Sequence, residues 1–234
     1  MNKTLLLLAG FLCLSCTSKS QNKAAESISQ KPQEVAKVKL TGSQIITSLE
    51  KLQFFNLTEE KDLVETKAQF ENAYTKLDFF EGTMAGESIL FTDNRFYAID
   101  SEALFEGGGL IPYLKTVKKT FDKLNLKLDF SGEFNNQSEK HWTHKIKLNG
   151  KEYTAFDAVF GANDWNISFV NFIEMLNDQL RLQKSNEQFY PISSGNDGRM
   201  VLLTPEQFEF VKANYPNDNE HPKEINDWKK NNGF

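Results

Sequence analysis

Both cysteines of this chain, Cys13 and Cys16, fall within its first sixteen residues. Residues 17–234 must therefore fold without a disulfide or a thiolate-bound metal, so a hydrophobic core has to hold that part together. The means are present: 20 phenylalanines stand among the 234 residues and aromatics make up 12%, and a chain of this length can bury enough apolar surface for independent stability.

The segment that carries the cysteines has a form of its own. Lys3 precedes an apolar run over residues 5–14, too short for the roughly 20 residues of a bilayer-spanning helix and right for a secretory signal peptide. At its end, Leu14-Ser15-Cys16 sets a small residue directly before a cysteine. This arrangement resembles the cleavage box of bacterial lipoproteins, with Cys13 standing where that box usually carries leucine. The resemblance implies removal of residues 1–15, lipidation of Cys16, and a membrane anchor placing the protein in the cell envelope, either periplasmic or surface-exposed. Cleavage after Ser15 or Ser18 to release a soluble exported protein is the alternative.

Residues 16–40 are polar, lack aromatics and show no apolar period, which predicts a lipidated cysteine followed by a flexible tether. A coil of that length spans roughly 25–30 Å. The formal charge is −5, one unit more negative once Lys3 leaves with the signal. Nucleic acid is excluded as a partner on that balance.

Residues 41–234 alternate between the helical and the extended period without the regular βαβ order of a parallel sheet. Ile45, Ile46, Leu49, Leu52 and Phe55 predict a first helix, and Thr58 is the expected N-cap of a second reaching residue 76. Residues 88–92 and 95–99 predict a hairpin turning at Asp93-Asn94. Leu110, Leu114, Val117, Phe121 and Leu124 fall on one helical face, with Lys115, Lys119 and Lys123 turned to solvent. Leu126, Leu128 and Phe130 predict a strand.

Asn149-Gly150 is the clearest local signal, a type I′ turn joining strands 142–148 and 151–156. Its register sets Ile146 opposite Tyr153, His144 opposite Ala155 and Lys147 opposite Glu152. A helix follows over residues 167–182, then a hairpin of residues 188–192 and 199–203. Thr204-Pro205-Glu206-Gln207 reads as a capping box with proline at the first helical position, opening a helix to residue 214. Residues 216–222 break the chain before a short helix containing Ile225 and Trp228. The fold class expected is α+β, a single domain with a mainly antiparallel sheet built from hairpins and packed by several helices.

No pattern of catalytic residues emerges. His141 and His144 lie three apart on a strand and so face opposite ways, which prevents them from sharing a metal. Gly107-Gly108-Gly109 precedes a helix but lacks the residues of a nucleotide-binding loop, and Glu106 would repel an anion. No GxSxG elbow exists, and no carboxylate pair stands out for glycoside hydrolysis. Asn163-Asp164-Trp165 reads as a helix entry with Asn163 or Asp164 as N-cap. The side chains suited to a contact surface are Trp142, His144, Tyr153, Trp165 and, in the loop before the last strand, Asn196, Asp197 and Arg199. No cofactor is expected.

These features favour a membrane-anchored, non-catalytic binding or interaction domain of unknown ligand, a protein being one candidate partner. Immunity-type neutralisation of a bacterial toxin and an unrecognised envelope hydrolase are the alternatives.

Overall fold

The computed structural model describes residues 39–76, 79, 94–106, 108–215 and 221–234. The signal segment, nearly all of the tether, the first arm of the 88–99 hairpin and most of the 216–222 breaker lie outside the described residues.

The described residues form an α+β domain with two three-stranded antiparallel sheets. In the first sheet, β1 (Phe96–Ala98) pairs with β6 (Arg199–Leu203), which pairs with β5 (Gln188–Ser193). The second sheet is a meander of β2 (Phe130–Gln137), β3 (His141–Leu148) and β4 (Lys151–Val159). The helices are α1 (Gly42–Lys51), α2 (Leu63–Lys76), α3 (Ser101–Phe105), α4 (Leu110–Lys123), α5 (Asp164–Leu182), α6 (Pro205–Asn214) and α7 (Ile225–Asn231). No helix among the described residues is long and apolar enough to cross a membrane.

The first sheet separates two cores, which explains why its strands are apolar on both faces. Tyr97, Phe189, Met200 and Leu202 turn toward a core shared with α4, α5, α7 and the second sheet. Phe96, Tyr190, Ile192, Val201 and Leu203 turn the other way, toward α1, α2 and α6. Consecutive residues of β6 thus feed opposite cores, as the two-residue period of a strand requires. Pro191 is accommodated because β5 is an edge strand, where a missing N–H costs no ladder bond.

Arg95 crosses between these layers. Its side chain is fully buried and donates to the Phe54 carbonyl, the Asn56 side-chain oxygen, the Leu202 carbonyl and the Glu187 carboxylate. A buried guanidinium is tolerable only when paired and hydrogen-bonded in this way. It fastens the 3-10 turn Phe54–Leu57, which follows α1, to the first sheet.

Several expectations need correction. The first helix stops at Lys51, because Gln53 takes a left-handed conformation and Phe55 enters the separate 3-10 turn. Thr58 caps no helix: its hydroxyl is buried without a hydrogen-bond partner, and α2 begins only after a second short turn at Glu60–Asp62. The strand expected at 126–130 begins instead at Phe130, because Leu126 and Leu128 serve the core from irregular backbone. Helix α3, capped by the Asp100 carboxylate, went unforeseen since five residues are too few to display a period.

The hairpin is the better outcome. Asn149 and Gly150 both have positive φ, 49° and 83°, and Ile146 faces Tyr153 while Lys147 faces Glu152. A bulge between His144 and Lys145, however, sets His144 opposite Phe156 rather than Ala155. The capping box at Thr204 and Gln207 forms as its residues require.

Candidate functional site

The second sheet has one covered face and one open face, and β2 and β4 are its two edge strands. On the covered face, Ile146, Leu148 and Ala155 enter the main core. Toward the other end, Trp142 and Phe156 join Phe105 in a separate aromatic cluster, with Trp165, Ile167 and Ala158 packed on it. Phe105 lies edge-on to both rings, at 4.6 and 4.7 Å between centroids, a favourable arrangement for aromatic quadrupoles.

This cluster is roofed by polar groups from β2. Register between β2 and β3 passes from Ser131 opposite Lys147 to Phe134 opposite Lys145, leaving Gly132 and Glu133 together against Ile146. Such a bulge requires a residue that accepts unusual backbone angles, and Gly132 has φ 61°. The bulge turns Glu133 inward, where its Oε1 lies 2.9 Å from His144 Nε2. His144 is 2% exposed and stacks on Trp142, with 16° between the rings. The Trp142 indole N–H donates to Asn135 Oδ1 at 2.5 Å. Glu133 and Asn135 thus hold β2 to the sheet from within.

From outside, no described element covers β2. All residues from 131 to 137 are exposed, Phe134 by 51%, and among the described residues no strand pairs with the far edge of β2. On the open face, His141 Nε2 lies 2.7 Å from Asp157 Oδ1, to which the Thr143 hydroxyl also donates. These two bonds hold the Asp157 carboxyl below the usual carboxylate range. Threonine bonds the acid and not the histidine, so the group lacks the nucleophile-to-base contact of a catalytic triad. Lys145 lies 4.0 Å from Glu152. The Lys147 stem runs across bare Gly132, where an added Cβ would stand 3.6 Å from its Cδ.

The side chains singled out in the sequence therefore part company. Trp142 and His144 are buried under β2 and shape the sheet without reaching its surface. Trp165 is half-buried beside them and donates to Glu106. Asn163 occupies the N-cap position of α5 without a side-chain bond, while the neighbouring Asp164 carboxylate accepts from the Gly161 N–H.

Tyr153 lies apart from this cluster. Its hydroxyl donates to Asp178 and accepts from Gln179, and burial together with Asp178 pushes it up to about 12. Asn196 and Asp197 are exposed in the β5–β6 loop and Arg199 is half-buried as the first residue of β6; the loop is anchored to α3 and α5 through Ser101 and Asn166. Phe134, Asn136 and Lys147 are the surface residues that sequence reasoning missed. An aromatic two residues after a glycine in the polar stretch Ser131-Gly132-Glu133-Phe134 was the available signal.

One further concavity, of about 550 Å³, lies between α5 and the start of β5. Its carboxylates are already engaged: Glu174 with Lys229, Asp178 with Lys151 and Arg181, Glu187 with Arg95. Asn177 is likewise spent on both backbone groups of Phe189. No charged group of this lining is left unpaired to meet a small molecule. No cluster of three or more histidine, cysteine, aspartate or glutamate side chains among the described residues could hold a metal ion.

Comparison with protein-family models, with curated proteins and with solved structures finds no match.

Proposed function

We propose that this chain is an exported lipoprotein, anchored to a membrane of the cell envelope through Cys16, whose folded domain is a non-catalytic binding module for another protein. The anchor rests on Leu14-Ser15-Cys16 and the apolar run before it. The binding role rests on one observation above the others: β2 is a strand with its whole outer side in water, carrying a half-exposed phenylalanine, on a sheet whose opposite face is rigidly packed. Proteins ordinarily guard such edges with lysine, proline, a bulge, an inward-turned charge or a covering element; β2 has its bulge and inward Glu133 at residues 132 and 133, and beyond them residues 134–137 carry no charge, no proline and, among the described residues, no covering strand.

Two experiments test the parts separately. Metabolic labelling with a fatty acid compares the chain with Cys16→Ala, and equal labelling of both removes the anchor. Residues 41–234 serve as bait against envelope and secreted fractions, in parallel with Asn136→Lys, which places a charge on the open edge. A saturable partner lost in the variant supports the binding role at this surface, whereas a partner held equally by both moves the contact elsewhere. Absence of any partner across salt conditions rejects the binding role. A captured partner that kills cells lacking this chain would make the module an immunity protein.

A further inference from the structure

Resting on that reading of the second sheet, we propose that the occupant of its open edge is an extended acidic segment of a protein partner. The segment adds to β2 as an antiparallel fourth strand. It sets an apolar side chain against Phe134 and, two residues further on, a carboxylate against Lys147.

Three observations converge on that chemistry. First, residues 134–137 present Phe, Asn, Asn and Gln with no charge among them, so a strand approaching this edge meets backbone groups and one exposed aromatic ring. Strand addition draws affinity from those backbone groups and specificity from alternate side-chain positions. Second, Lys147 makes no ion pair among the described residues, and its stem lies over Gly132 in the bulge of β2. Glycine is required at 132 by its positive φ of 61°, and the lysine stem passes within ordinary contact distance of it. Third, the open face is polarised. Its carboxylates, Glu152 and Asp157, both belong to β4, on the side away from β2, and are already held by Lys145, His141 and Thr143. Glu133, on β2 itself, is engaged by His144 toward the covered face, so on the open face the charge left without a partner among the described residues, Lys147, stands beside the edge. An incoming strand with acid at one outward position matches that field, and one with lysine there opposes it.

The spacing follows from strand geometry. Residues two apart in the partner share a face, and because Gly132 and Glu133 together take one ladder position, the residue two places beyond the one opposite Phe134 meets Ser131, across from which Lys147 stands. The recognition element is thus apolar, any residue, acidic. Pairing over so few residues makes a weak, exchangeable contact, and an exposed ion pair adds only a few-fold to it.

The probes are two labelled octapeptides, Thr-Val-Thr-Phe-Thr-Glu-Thr-Val and the same sequence with lysine in place of glutamate, titrated by fluorescence anisotropy against the full-length protein in detergent. The glutamate peptide should bind saturably and about five-fold tighter than the lysine peptide at low salt, with the preference shrinking at high salt. Lys147→Glu should reverse the preference, and Asn136→Lys should weaken both peptides, each variant melting within a few degrees of the unaltered protein. Equal binding of the two peptides, a preference unchanged by Lys147→Glu, or no binding of either overturns the proposal. So does a concentration-dependent dimer abolished by Asn136→Lys, which would make a second copy the occupant. If the peptides fail while bait capture remains sensitive to Asn136→Lys, the acidic strand is wrong and the contact surface stands; if both fail, both fall.

Discussion

At Asn149 the side chain does as much as the backbone. Its Oδ1 accepts from the Asp129 N–H, and its amide donates to the Lys127 carbonyl and to Gln179, so the residue that makes the turn also ties the hairpin to the segment before β2. Replacing Asn149 and Gly150 together by alanine forces one new β-carbon into left-handed backbone at 150, at about 1–2 kcal/mol, gives up asparagine's tolerance of that conformation at 149, and removes those bonds. Thermal melting should fall by roughly 6–12 °C, given about 2–4 °C per kcal/mol in a domain of this size.

Gly198 is a second such position. A β-carbon there would stand 2.1 Å from the Ile99 carbonyl, while the Ile99 N–H donates to the Gly198 carbonyl. Gly198→Ala should therefore cost at least about 2 kcal/mol, measured by denaturant unfolding. The two glycines were unequally legible. Asn-Gly is a local turn code, but the demand on Gly198 comes from the approach of a segment about a hundred residues away in sequence, and no local pattern records it.

At the scale of elements, the hairpin β3–β4 meets α5 through a polar joint. Burial pushes the Asp178 carboxyl up, but hydrogen bonds from Lys151, Tyr153 and Arg181 outweigh it and hold the group down at about 2. A carboxyl lowered in the folded state stabilises above its unfolded value, near 4, and loses that contribution as pH falls toward 2. The contribution is about 2 kcal/mol. Unfolding measured from pH 6 to pH 2 should therefore show a stability difference between the unaltered protein and Asp178→Asn that closes in the pH 4 to 2 window; a constant difference would contradict the joint.

Elements with a strong period were legible for the reason that their faces differ. Leu110, Leu114, Val117 and Phe121 are buried in α4 while Lys115, Lys119 and Lys123 are exposed. Strand β2 was not legible because it has almost no apolar face to alternate: it is exposed along nearly all its length and held by β3, Glu133 and Asn135. The same polarity that concealed it as a strand leaves it uncovered as a surface. Trp142, Tyr153 and Trp165 could not be grouped from sequence, since only the packing of Phe105 and Phe156 decides that two of them share a cluster and the third does not.

The described residues form two large cores joined through the first sheet, with the smaller aromatic cluster around Phe105 beside them, and Arg95 is the polar bolt between the early helical segment and that sheet. Arg95→Met leaves Glu187 largely buried and without its guanidinium partner, a situation that costs about 3–5 kcal/mol. Denaturant unfolding of the variant should show that loss, and Arg95→Met combined with Glu187→Leu should recover part of it by removing the orphaned charge. The core needs this care because no thiol is available to reinforce it: the whole domain beyond Cys16 depends on packing and a few buried polar ties.

The central claim is that an anchored domain meets another protein through the open edge of β2. Its most direct test is site-specific photo-crosslinking in intact source cells, with the reactive residue placed at Phe134 in one strain and at Lys115, on the solvent face of α4, in another. A discrete crosslinked protein at position 134 and none at position 115 is the result predicted. The same products at both positions, or none at position 134, would contradict it.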